Sequence, residues 1–224
     1  TNCYVDDPPL TPSVSILINS GDWSQISDGL EAPIDIELCS DCSPNEIALV
    51  DMDADGDLDL VVSAGDGDPN EAEVGSWGIY VYFGDGNGDF QFGAAYETET
   101  PVRGLAIQQF GGAPVAGDDC HDDRGSVGND KVYVYSNDGN GALTLEDSDD
   151  LGLGASSSAF DLATAHFDND YPSNGLHDIV TCNVGDDESS ELTNNGSFDF
   201  DLDDYSDPFS VTWSWTDVTA GTFN

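Results

Sequence analysis

Apolar and polar residues alternate along this chain in short runs, and the runs end in turns rich in glycine and aspartate. Val14-Ser15-Ile16-Leu17-Ile18 runs into Asn19-Ser20-Gly21-Asp22-Trp23. Ile79-Tyr80-Val81-Tyr82-Phe83 leads into Gly84-Asp85-Gly86-Asn87-Gly88-Asp89-Phe90. Val132-Tyr133-Val134-Tyr135 leads into Asn137-Asp138-Gly139-Asn140-Gly141-Ala142-Leu143, and Asn194-Asn195-Gly196-Ser197-Phe198 is a weaker copy. The turn glycines at 21, 88, 141 and 196 stand 67, 53 and 55 residues apart. β-Branched and aromatic residues at a period of two suit strands, and glycine supplies the turn conformations between them. No long stretch has a helical period, so the chain is predicted to be all-β.

A second series keeps step with the first. Ile47-Ala48-Leu49 matches Leu105-Ala106-Ile107 and Leu162-Ala163-Thr164, at intervals of 58 and 57 residues. A third element, Gly65-Asp66, Gly117-Asp118 and Gly185-Asp186, begins an acidic loop each time. One repeat therefore reads strand, loop, strand, acidic loop, strand, glycine turn, strand. Four antiparallel strands per period of this length predict β-propeller blades. The expectation is one domain over 1–224, with a partial blade at 13–44, repeats at 45–102, 103–157 and 158–208, and a possible closing strand within 209–224. About four blades closed by the aromatic run Phe209 to Thr216 is one arrangement. A piece of a larger propeller, or a subunit giving its open edge to a neighbour in a filament, is the other.

Composition narrows the setting. There are 46 acidic residues against three basic ones, Arg103, Arg124 and Lys131, for a formal charge of −43. Aspartates number 36 and glutamates ten, a bias towards turns and short ligand loops over helices. An apolar share of 38% argues against simple disorder. Three scattered cations build no nucleic-acid surface, and anionic membranes are equally disfavoured. Divalent cations, basic partners or very salty water are left to balance the charge. No apolar run reaches membrane-spanning length. Thr1 follows no charged or apolar leader, so a secretion signal is expected to have been removed or to lie outside this sequence.

The sharpest chemistry lies in Asp51-Met52-Asp53-Ala54-Asp55-Gly56-Asp57-Leu58-Asp59. Carboxylates at alternate positions around one glycine suit a hard divalent cation, which takes several oxygen ligands from a short loop. The flanks, Ile47 to Val50 and Leu60-Val61-Val62, are strand-like, so the loop belongs to a β-hairpin. An EF-hand would have helices there, and a glutamate where Val62 stands.

Asp51 to Val62 and Phe83 to Phe90 together resemble the FG-GAP/VCBS repeat family, the calcium-loop blades of integrin α-subunit propellers and of many secreted bacterial and archaeal proteins. The resemblance covers about three repeats, roughly 45–205. It implies calcium held by the side chains of Asp51, Asp53, Asp55 and Asp59, with Asp57 acting through its carbonyl. In the third repeat, Asp168, Asp170 and Asp178 keep three ligand positions, but His166 replaces the first aspartate and Tyr171-Pro172-Ser173-Asn174 is inserted. A second, weakened or re-formed calcium site is expected there, since imidazole is a poor calcium ligand. In the second repeat, Gln109 to Pro114 occupies the loop position without a carboxylate, so that site is expected to be lost.

The remaining candidates carry less. Cysteines stand at 3, 39, 42, 120 and 182; with a calcium loop they suggest an oxidising, extracellular or cell-surface setting. Cys39 and Cys42 have no second pair to make a zinc site, and a local disulfide is the expectation. Their odd number leaves one thiol or one intermolecular bridge. His121 beside Cys120 reads as a surface loop, and Tyr80, Tyr82, Tyr133 and Tyr135 as packing. Trp213 and Trp215 share a strand face and suit either closure packing or stacking on a sugar. The expected function is non-enzymatic: a secreted structural or adhesion module meeting a protein or glycan surface, or other copies of itself. A glycan-binding lectin and a propeller fragment of an extracellular polysaccharide-degrading enzyme are the alternatives.

Overall fold

A computed structural model describes residues 12–17, 33–38, 44–65, 77–109, 114–115, 131–153, 158–165, 177–184, 189–195 and 200–203. Among these residues there are β-strands and no helix. β1 (Ser13–Ile16) pairs with β2 (Ile34–Glu37). β3 (Pro44–Val50), β4 (Asp59–Ala64), β5 (Gly78–Gly84) and β6 (Phe90–Glu97) form a four-stranded antiparallel meander. β7 (Gln108–Gln109) pairs with β8 (Pro114–Val115), and β9 (Lys131–Asn137) with β10 (Leu143–Asp150). β11 (Ser158–Ala165), β12 (Asp178–Val184), β13 (Ser189–Asn194) and β14 (Phe200–Asp203) make a second four-stranded meander. Among the described residues no sheet closes on itself.

The repetition extends to the irregularities. Between β3 and β4 the register passes from Glu46↔Ser63 to Pro44↔Ala64, skipping Asn45. Between β11 and β12 it passes from Asp161↔Cys182 to Ala159↔Asn183, skipping residue 160. The β5–β6 and β9–β10 hairpins share another bulge, after Tyr82↔Phe92 in one and Tyr135↔Leu145 in the other. Bulges twist a strand locally, so matched bulges put the same local twist at the same point of each strand pair.

Four of the sheets stack in chain order, with an apolar core between each neighbouring pair. Val14, Ile36 and Leu38 pack on Leu60, Val62, Tyr80 and Tyr82 from β4 and β5. The opposite face of the same strands gives Val61, Ile79 and Val81 to a core with Tyr133, Tyr135 and Leu143. Val132 and Val134 then meet Ile179, Leu192 and Phe200 of the last sheet. β4 is buried along its whole length because both of its faces are covered. Each fully buried Val, Leu or Ile contributes about 1.5–3 kcal/mol. The four strand tyrosines all lie in these cores, as packing residues.

Polar contacts tie neighbouring sheets together. Asn45 Nδ2 donates to the carbonyls of Gly65 at 3.1 Å and Val102 at 2.8 Å. The Leu105 N–H donates to Glu46 Oε2 at 2.6 Å, and Ser63 Oγ to the Arg103 carbonyl at 3.0 Å. The Phe83 ring sits so close to Gly93 and Gly141 that a Cβ on either would come within 2.3 Å of it. Glycine is required there by proximity.

One expectation is modified. β1 ends at Ile16, short of Ile18, and the turn at 19–23 lies outside the described residues. In the second repeat the described residues comprise the two-residue pair β7–β8 and the hairpin β9–β10, and residues 110–113 and 116–130 lie outside them.

Candidate metal centre

The β3–β4 connection carries the acidic loop. It opens where Val50 pairs with Asp59 and folds back on itself through positive φ at Ala54 (61°) and Gly56 (99°). Glycine adopts this backbone readily, whereas alanine at 54 is strained by its Cβ. Backbone N–H groups inside the loop point at its own carboxylates. Asp51 Oδ2 accepts from Gly56 at 3.1 Å, Asp53 Oδ1 from Asp55 at 3.2 Å and Asp55 Oδ1 from Asp57 at 2.8 Å.

Asp59 anchors the arrangement. It is fully buried, and its two oxygens accept from different parts of the sheet: Oδ2 from the Met52 N–H at 2.7 Å, Oδ1 from the Gly84 N–H at 2.8 Å. One carboxylate thus joins the start of the loop to the end of β5. Gly84 also packs so tightly against the Leu58 carbonyl that a Cβ would lie 2.1 Å from it. Met52, between two acidic residues, is 3% exposed and plugs the core shared with Tyr133 and Tyr135. Its carbonyl accepts from Asn137 Nδ2 of the next sheet at 2.8 Å.

Asp51, Asp53 and Asp59 converge, each offering an oxygen, with all three oxygens within 4.8 Å of one another. Oxygen ligands about 2.4 Å from a central calcium stand at most about 4.8 Å apart, so the spacing fits a single divalent ion. The set is all-oxygen, as a hard cation requires. Burial, followed by the charges of Asp55, Asp59 and Asp51, pushes the Asp53 carboxyl above its ordinary value, against the opposing effect of the Asp55 N–H. A cation in their midst would relieve that repulsion.

The other expected ligands divide. Asp55 spends one oxygen on the loop, and the Asp57 carboxylate lies over Gly86, where a Cβ would be 2.3 Å from Oδ1. Neither side chain joins the cluster. Asp178 is 1% exposed and its Oδ1 accepts from the Asn194 N–H at 3.0 Å, at the end of β13. Asp168, Asp170 and His166 lie outside the described residues, as do Cys3, Cys39, Cys42, Cys120, His121, Trp213 and Trp215. Cys182 is a buried thiol of β12.

The β5–β6 and β9–β10 turns form a second matched pair. Asp85 Oδ1 accepts from the N–H groups of Asn87 and Asp89, and Asp138 Oδ1 from those of Asn140 and Ala142. These backbone donors hold both carboxyls below their ordinary value. Burial, then the neighbouring Tyr133, pushes the Tyr135 phenol up to about 12, so it stays protonated as a packing group.

Sequence reasoning missed Met52, Asn45 and Asn137. A lone apolar residue inside an acidic loop was the available signal for Met52, and asparagine at the end of a strand the signal for Asn137. Compared with known proteins, the chain has no match among protein-family models, curated proteins or solved structures.

Proposed function

We propose that the chain is a calcium-stabilised β-propeller of the FG-GAP/VCBS kind, acting outside the cell as a structural or adhesion module of the cell surface or of an extracellular assembly. The convergence of Asp51, Asp53 and Asp59, which bring one oxygen each within 4.8 Å of one another, carries the reading. The propeller half is supported by repeated meanders with matched bulges, stacked face to face in chain order. Calcium here is structural. It offsets repulsion among carboxylates and fixes a loop whose Met52 is part of the contact with the next sheet. The partner class is a protein or glycan surface, or another copy; the charge of −43 excludes nucleic acid.

The test is thermal unfolding at low ionic strength with calcium, with chelator, and with chelator plus molar sodium chloride. Calcium at a hundredfold its Kd should stabilise the fold by about 2.7 kcal/mol. Rescue by salt with no added effect of calcium would overturn the metal assignment.

A further inference from the structure

Three hairpins of this chain close over turns of equal length. The closing pairs are Gly84↔Phe90, Asn137↔Leu143 and Asn194↔Phe200, and each encloses five residues: 85–89, 138–142 and 195–199. In the first two turns the leading residue is an aspartate, Asp85 or Asp138. Its Oδ1 holds the turn by accepting two backbone N–H groups. Two positions on stands an asparagine, Asn87 or Asn140, whose N–H is one of those donors. The last turn begins Asn195-Gly196-Ser197. Asparagine has taken the place of the clamping aspartate, and serine the place of the asparagine. The glycine between them is kept, as Gly86, Gly139 and Gly196.

Together the two replacements make Asn-x-Ser, the acceptor signal for N-linked glycosylation. Of fourteen asparagines in the chain, Asn195 alone is followed two residues later by serine or threonine. Other described asparagines are spent on the fold. Asn45 and Asn137 donate to backbone carbonyls that tie sheets together, Asn183 is fully buried, and Asn194 Nδ2 donates to the His177 carbonyl. Asn195 is exposed, and its Nδ2 donates at 2.7 Å to Oδ2 of Asp201, itself exposed on the edge strand β14. An amide nitrogen carries two hydrogens. Asp201 takes one, so a sugar can replace the other and leave that bond intact.

We propose that Asn195 carries an N-linked glycan. Ser197 lies outside the described residues and enters by sequence alone. The proposal rests on the extracellular reading above, because the donor, an oligosaccharide on a lipid diphosphate, serves chains that leave the cell. In the transfer a bond forms between Asn195 Nδ2 and the anomeric carbon of the sugar. The bond from that carbon to the diphosphate oxygen breaks, the lipid diphosphate departs, and the amide gives up one proton. The product is a bulky hydrophilic group at the surface, where a turn of the last sheet meets solvent.

Intact-glycopeptide mass spectrometry tests this on the full-length chain, recovered separately from inside and outside the cells that make it. The peptide containing Asn195 should carry a glycan mass that electron-transfer fragmentation places on Asn195. A chain found outside the cell with Asn195 bare, or with sugar only on other residues, overturns the proposal alone. A bare chain found only inside overturns the extracellular reading and this proposal with it. Ser197→Ala should abolish the glycan, whereas Ser197→Thr should retain it. A glycan on Asn195 that survives Ser197→Ala would overturn the assignment of the acceptor signal.

Discussion

Asp59 and Asp178 occupy the same place in the two four-stranded sheets, yet their surroundings differ. Each begins the second strand, each is buried, and each accepts an N–H from the end of the third strand, Gly84 in one sheet and Asn194 in the other. Among the described residues Asp51 and Asp53 gather beside Asp59, while the segment leading to Asp178 lies outside the described ones. The buried aspartate is therefore an architectural clamp before it is a ligand. A sheet of this shape needs it to satisfy a backbone donor, whether or not a cation is bound. The facing surfaces differ too. Val62, Ala64 and Tyr80 correspond to Thr181, Asn183 and Ser190, where Thr181 Oγ1 donates to Asn183 Oδ1 and Asn183 Nδ2 to Ser190 Oγ, both at 2.9 Å.

Substitutions can separate clamp from ligand. Asp59→Ala strands the N–H groups of Met52 and Gly84 and should cost about 3–5 kcal/mol even in chelator, measured by denaturant unfolding. Met52→Ala empties a core position and should cost about 2–4 kcal/mol while weakening calcium binding. Asp178→Ala should cost about 1–3 kcal/mol. If it also diminishes calcium's stabilisation, the third repeat binds metal as well and the contrast between the sheets disappears. Asp53→Ala should abolish calcium's shift of the melting temperature without lowering stability in chelator. Its raised folded-state value means that ionisation opposes folding at neutral pH, and acid relieves this.

The smallest effect belongs to the glycine turns. For Asp85 and Asp138 the folded value lies below the ordinary 3.8, so their stabilisation is present above that pH and fades as pH falls through the lower folded value. Asp138→Asn should make the acid decline of stability shallower, followed by circular dichroism from pH 5 downwards.

Much of the fold was legible because strands of period two announce themselves. Ile79 to Phe83 and Val132 to Tyr135 fall within β5 and β9, and the turn glycines at 86, 88, 139 and 141 do take positive φ. The site was legible only as a composition of aspartates. Alternation alone does not rank the five, and the expected ligand roles came from the resemblance; the left-handed turns at Ala54 and Gly56 break the alternation. Asp51, Asp53 and Asp59 are brought together, while Asp57 is turned towards Gly86. The dual capping by Asp59 was hidden for another reason. Gly84 is 25 residues away, and sequence spacing does not say which N–H a buried carboxylate will meet.

The link from Asn137 to the Met52 carbonyl spans 85 residues. A nascent chain extended only as far as β6 already holds every aspartate of the loop, yet lacks the asparagine and the tyrosines that seat Met52. The contacts that seat Met52, and with it the start of the acidic loop, are therefore complete only once β9 has been made and has docked.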